Sequence, residues 1–162
     1  QYGGVYFDTD VEVLRDISPL LEDEGFIGFE NEQFVASGLT IAAEAHHTVI
    51  KAMIEEYQKL HFAGANGSVT PVGCPHLNTD VMERFGLVRN GREQLVAGIH
   101  VYPADYFNPL DSITGKLTKT ENTYSIHWYS MSWLPKYIRL RSKYVRLCKR
   151  IFGRDIFKWK KQ

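Results

Sequence analysis

Between Thr48 and Leu60 the apolar residues Val49, Ile50, Met53, Ile54, Tyr57 and Leu60 recur three and four apart. That spacing lines one face of an α-helix. A second helix is predicted after Pro75, with Leu77, Val81, Met82 and Phe85 on one side and Gly86 as its stop. Strands are predicted where short apolar runs stand between polar or Gly-rich clusters. Val5-Tyr6-Phe7 has the look of a central, buried strand; Gly25 to Phe29, Gly38 to Ala43, Gln94 to Tyr102 and Tyr124 to Trp128 follow. Gly64 to Gly73 reads as loop, Glu22-Asp23-Glu24 as a solvated turn, and His46 and His47 as surface residues at a helix start. Strands alternating with helices predict an α/β sheet rather than a sandwich or a bundle.

The stretch from Pro135 to Phe152 differs in kind. On a helical wheel Tyr137, Ile138, Leu140, Tyr144, Val145, Leu147, Cys148, Ile151 and Phe152 fill one half. Six lysines and arginines fill the other, and Arg141 alone falls among the apolar residues. A basic amphipathic helix is predicted, followed by the basic-aromatic run Phe157-Lys158-Trp159-Lys160-Lys161. Its apolar face has two candidate partners, the protein's own body or an anionic membrane surface.

Charge sharpens that division. The 162 residues carry 19 basic and 19 acidic side chains, yet up to Pro135 there are 8 basic against 18 acidic, and from Lys136 onward 11 against 1. The organisation expected is therefore one domain over 1–135 and a basic helix and tail over 136–162. Charged residues at 23% and hydrophobic residues at 44% exclude a disordered or coiled-coil chain. Cys74 and Cys148 are too few for a disulfide scaffold and lack zinc-site spacing, so a reducing compartment is the default. No apolar run approaches the ~20 residues that span a bilayer. The expected location is the cytoplasm, with a peripheral place at the inner face of the membrane if the tail binds there. The opening Gln1-Tyr2-Gly3-Gly4, without Met, predicts a fragment or processed form of a longer chain.

Candidate chemistry centres on Asp8-Thr9-Asp10 at the end of the first strand. Two carboxylates at i and i+2, where a strand bends into a loop, can converge on one hard cation such as Mg²⁺ or Mn²⁺. Such ions are commonly shared with substrate phosphates, so the pair implies a diphosphate. An EF-hand loop fails, because its sixth and twelfth positions would be Val13 and Pro19 rather than Gly and Glu. An aspartyl-phosphatase reading is disfavoured by Glu12, where Thr or Val is expected. A nucleotide-sugar transferase with an Asp-X-Asp clasp is the third reading, and the surrounding residues favour it over the phosphatase, which stays open as a less favoured class.

The segment Gly3-Gly4-Val5-Tyr6-Phe7-Asp8-Thr9-Asp10-Val11-Glu12-Val13 resembles the signature of the DXD-type glycosyltransferases grouped with capsular polysaccharide synthesis enzymes and the yeast-type initiating mannosyltransferases. Gly28-Phe29-Glu30, Ala36-Ser37-Gly38, Thr70-Pro71, Cys74-Pro75 and Asn122 to Trp128, ending in Ser132-Trp133, resemble further segments of that family, so the likeness spans residues 1 to about 135. It implies a GT-A-type, Rossmann-like domain lacking its first nucleotide-binding strand and helix. It also implies retaining transfer of a hexose from a nucleotide sugar to a cell-surface or capsular glycan, or to a lipid-linked one. By the same resemblance Asp8 and Asp10 hold a divalent ion and the donor's phosphates or ribose, His127 is a third ligand or a diphosphate contact, and Ser132 and Trp133 cover the donor. Ala36 stands where members often carry Asn. Glu30, Glu32 and Asp80 are candidates for a carboxylate on the far face of the sugar. The competing reading is a catalytically inactive fragment or a membrane-associating module. Nucleic acid is not an expected partner, since no recognised fold for it is present.

Overall fold

The computed structural model describes residues 1–60, 73–132 and 134–153, so the expected loop at 64–73 and the aromatic run at 157–161 lie wholly or largely outside the described residues. A mixed sheet forms the frame. Its strands are β1 (Gly4–Tyr6), β3 (Gly25–Asn31), β5 (Ile41–Ala43), β6 (Gln94–Val96) and β7 (Ile99–Tyr102), in spatial order β1-β5-β3-β7-β6, with β4 (Phe34–Val35) paired to the end of β3. β3 and β7 run parallel, Gly25 opposite Ile99, while the other pairs are antiparallel. A separate two-stranded ribbon joins β2 (Val11–Val13) to β8 (Ser125–His127).

β3 is central because both of its faces are apolar. Ile27 and Phe29 point to one side with Val101 and Ile99, under helices α1 (Thr48–Gln58) and α2 (Cys74–Arg84), which supply Val49, Met53, Leu77, Val81 and Met82. Phe26 points to the other, into a cluster with Leu20, Leu39, Tyr102 and Phe107, the last from the short helix α3 (Ala104–Phe107). The side-chain period of two thus feeds two cores, the pattern of a sheet covered on both faces. Gly28 is required there: a Cβ would stand 2.5 Å from the Phe107 ring.

Three expectations need correction. β1 is an edge strand with Val5 and Tyr6 exposed, not a buried central one, because among the described residues it has a single sheet neighbour, β5. The run Gln94 to Tyr102 is a hairpin, folded at Ala97 and Gly98, both at positive φ (48° and 83°). Glycine adopts that conformation freely, and alanine is carried with it. His47 is buried rather than on the surface: its Nδ1 caps α1 by accepting from the Val49 N–H, and its Nε2 lies 3.2 Å from Glu24. Helices α1 and α2 fall where the three-and-four spacing put them, with Gly86 at φ 105° just beyond α2.

On the surface, Arg84 of α2 donates to Glu56 of α1, and Lys59 joins it. These hydrogen bonds hold the Glu56 carboxyl down at about 2, against an ordinary 4.5. A depressed carboxyl contributes its stability above the unfolded value, and loses it as pH falls through the folded one. Acidification from above 4.5 toward about 2 is therefore expected to lower the urea midpoint. Arg84→Ala should flatten that dependence, as read from midpoints across the window. An unchanged slope would place the acid sensitivity elsewhere.

Candidate metal centre

The three side chains Asp8, Asp10 and His127 come together where β1 passes into β2. A turn does this, closed by the Val11 N–H donating to the Asp8 carbonyl at 3.1 Å. Immediately afterwards β2 pairs with β8 in a register that sets Val11 opposite His127. The carboxylates therefore converge through a bend, and a strand more than a hundred residues away adds the imidazole. One ligand atom from each lies within 4.8 Å of the others. His127 Nε2 is 3.1 Å from Asp10 and 3.8 Å from Asp8.

Each carboxylate is held. The Tyr6 hydroxyl donates to Asp8 at 2.6 Å, and the Ser130 N–H donates to Asp10 at 2.7 Å. Burial alone would push the Asp10 carboxyl up, but the Ser130 N–H and the adjacent His127 imidazole outweigh it and hold the group below its usual range. The carboxylate of Asp8 also rests on Gly38, where a Cβ would stand 2.9 Å from its Oδ2 and 3.9 Å from Cys74 Sγ. That glycine is positioned by α2, since buried Asn78 accepts from the Ser37 N–H. Tyr6, Tyr129 and Ser130 are neighbours to which the sequence reading gave no role, and Gly38 was noted there only as part of the 36–38 segment. Tyr6, the last residue of β1, could have been found as the residue two before Asp8, since an extended chain sets such side chains on one side.

Residues 128–131 form the rim. Tyr129 and Met131 both take positive φ, near 50°, and between them Ser130 aims its N–H at Asp10. Left-handed backbone at a bulky residue costs of order 1–2 kcal/mol, and such strain clusters at functional sites. The Tyr129 ring packs edge-on against His127, and its hydroxyl reaches Asn108 at 2.9 Å and Glu30 at 3.3 Å. Burial and the Glu30 charge push that phenol well up, so it stays a donor. Of the three nominated carboxylates, Glu30 is thus tied to the site through Tyr129. Asp80 is engaged by Arg89, and Glu32 packs beside Gly91 on the exposed surface. Ser132 lines the cleft, and Trp133 lies outside the described residues.

The cleft has a volume of about 390 Å³. Beside it, behind Trp128 and Met131, opens a hollow of about 510 Å³ lined by Lys136, Arg139, Lys143 and Arg146 of helix α4 (Lys136–Phe152). The donor set, two carboxylate oxygens facing a polar cleft, fits a hard divalent ion. The imidazole fits less well as a ligand. Its short contact with Asp10 places the proton on Nε2, and Nδ1 is buried without a partner among the described residues. Ligation through Nε2 would move that proton to Nδ1, where no described acceptor stands, whereas ligating histidines normally donate from the other nitrogen. The arrangement can thus bind a cation through Asp8 and Asp10, with His127 orienting Asp10, and can attract phosphate from the α4 side. Compared with protein-family models, with curated proteins and with solved structures, the chain matches none.

Proposed function

We propose that this chain is the catalytic part of a metal-dependent glycosyltransferase, in which Asp8 and Asp10 hold Mn²⁺ or Mg²⁺ against the diphosphate of a nucleotide-sugar donor. The observation that carries the reading is the meeting of Asp8, Asp10 and His127 in one cleft from two distant stretches of chain. It gains support from the company these residues keep. Residues from segments that the family resemblance singled out separately, Asp8 and Asp10, Gly38, Cys74, His127 and Ser132, gather around the same cleft. The cationic wall of α4 adjoins the cleft and suits a phosphate-bearing substrate. A GT-A-type arrangement, in which further strands would extend the sheet beyond β1, is in keeping with that strand having a single sheet neighbour among the described residues.

In this reading the bound ion acts as a Lewis acid, stabilising charge that develops on the departing nucleoside diphosphate. Asp8 and Asp10 fix its place, and the Tyr6 hydroxyl and Ser130 N–H keep each carboxylate from turning away. His127 Nε2–H steadies Asp10 and lies within reach of a phosphate oxygen entering the cleft. Lys136, Arg139, Lys143 and Arg146 balance the substrate's negative charge. Of the three nominated carboxylates Glu30 is the one joined to the site, through the Tyr129 hydroxyl, and we assign to it the far face of the sugar in a retaining reaction.

Titration calorimetry with a panel of nucleoside diphosphates tests this directly. The expected result is heat that depends on Mn²⁺; its absence across the panel would favour the competing reading of a non-enzymatic module. A finer test is Gly38→Ala, whose methyl group would push against the Asp8 carboxylate. It should weaken Mn²⁺ binding by about tenfold, the scale of disturbed ligand orientation. Because Gly38 needs no positive φ, unfolding stability should hold within about 1 kcal/mol. Equal Mn²⁺ affinity in the variant would remove Asp8 from the ligand set.

A further inference from the structure

Helix α4 leaves its larger apolar side chains uncovered. The side facing the body carries Ile138, Arg139, Ser142, Val145 and Arg146, all half-buried. The side facing away carries Tyr137, Leu140, Tyr144, Leu147 and Ile151, exposed by 71%, 67%, 66%, 52% and 64%. None of the helix's residues is fully buried. The expectation that its apolar face packs on the protein's own body is met only in part: of that half, Ile138, Val145 and Cys148 are half-buried, while the larger side chains stay exposed.

Charge narrows what can cover that face. Between Lys136 and Phe152 there are seven lysines and arginines and no acidic residue. Lys136, Arg141, Lys143 and Arg150 are exposed alongside the outward apolar residues. Two copies of the helix laid face to face would oppose these cations directly. An anionic lipid surface instead receives both features at once, the apolar side chains at the headgroup and acyl boundary and the cations among the phosphates. Arg141, the one charge within the apolar arc, is accommodated because its long stem can lie along apolar surface while its head reaches the phosphates.

We infer that α4 docks this protein on an anionic bilayer through Tyr137, Leu140, Tyr144, Leu147 and Ile151, with its exposed cations in the headgroup layer. The helix is about 25 Å long at 1.5 Å per residue and lies flat along the interface rather than across it. Its cations Lys136, Arg139, Lys143 and Arg146 line the hollow that adjoins the cleft of Asp8 and Asp10, so docking brings that side of the protein toward the lipid surface. The inference stands apart from the metal centre, and an acceptor presented by a lipid would be its consequence for the enzyme.

Cosedimentation of the full chain with vesicles tests it, using phosphatidylcholine alone and phosphatidylcholine with one third phosphatidylserine. The protein is expected to pellet with the anionic vesicles at low salt and to be released as salt rises. The double substitution Leu140→Glu with Leu147→Glu, at exposed positions that leave thermal unfolding unchanged, should lower partitioning roughly tenfold or more. Arg141→Gln, at an exposed cation away from the hollow, should lower it about fivefold, the worth of one surface cation. Asp10→Asn should leave vesicle binding intact, which separates failure here from failure of the metal centre. Three outcomes overturn the proposal. These are no pelleting with anionic vesicles, pelleting that survives the double leucine substitution and so reports charge alone, and a dimer in sedimentation equilibrium that the same substitution dissolves.

Discussion

Asp10→Asn is expected to abolish Mn²⁺-dependent binding of a nucleoside diphosphate, lowering affinity by at least about a hundredfold, beyond the ten- to hundredfold typical of neighbours of a metal ligand. The substitution keeps the shape of the side chain and an oxygen that can still accept from the Ser130 N–H, so the loop at 128–131 should keep its place. What it removes is the negative charge. Circular dichroism and thermal unfolding should match the parent chain while calorimetry shows no metal-dependent heat. The pH profile of the parent offers an independent check. Asp10 is held below the ordinary carboxylate range, so its charge persists as pH falls past the point where an unassisted aspartate would take up a proton. Ser130→Pro would delete the N–H donor and should move the loss of metal binding to higher pH. Retained affinity in Asp10→Asn would end the assignment of the centre.

The largest effect on stability is expected from Phe107→Ala. Phe107 is fully buried, stacks on Phe26 with ring centroids 5.6 Å apart, and meets the edge of Tyr102 at 5.9 Å. It fills the space above Gly28 that no side chain on β3 could share. Truncation leaves a ring-sized cavity between a rigid sheet and a one-turn helix, and such losses run to about 3–5 kcal/mol. Against the ~5–15 kcal/mol of a typical domain, that is a large fraction. Urea unfolding should show the midpoint fall with the slope unchanged. Because the next residue, Asn108, holds the Tyr129 hydroxyl, the variant should also loosen the rim of the cleft and weaken Mn²⁺ binding. A cost below about 1 kcal/mol would mean that α3 collapses to fill the gap, and that it does not brace the site.

Local patterns accounted for what lies within a few residues along the chain. The three-and-four spacing at 48–60 and after Pro75 located α1 and α2, the basic amphipathic wheel located α4, and the apolar run at 25–29 located the central strand. Turn chemistry was less legible. The Ala97-Gly98 hairpin has no Asn-Gly or Asp-Gly signal, and the segment reads as one strand until its left-handed backbone is seen. β1 looked central because apolar runs of three residues carry no information about how many neighbours a strand has.

The site divides in the same way. Its two carboxylates were visible because they lie two residues apart, and His127 was nominated from the motif around it. Their meeting depends on the register between β2 and β8, a pairing across 116 residues from Val11 to His127. The Ser130 N–H, Gly38 beneath Asp8 and Tyr129 behind His127 are defined by tertiary contacts alone. So is the direction in which α4 faces. Its sequence determines that the helix has an apolar side, since periodicity follows from the helical repeat. Which side meets the body is a tertiary outcome: the hollow behind Trp128 and Met131 is lined by four of the helix's cations together with Leu140, and Tyr137, Leu140, Tyr144, Leu147 and Ile151 remain exposed.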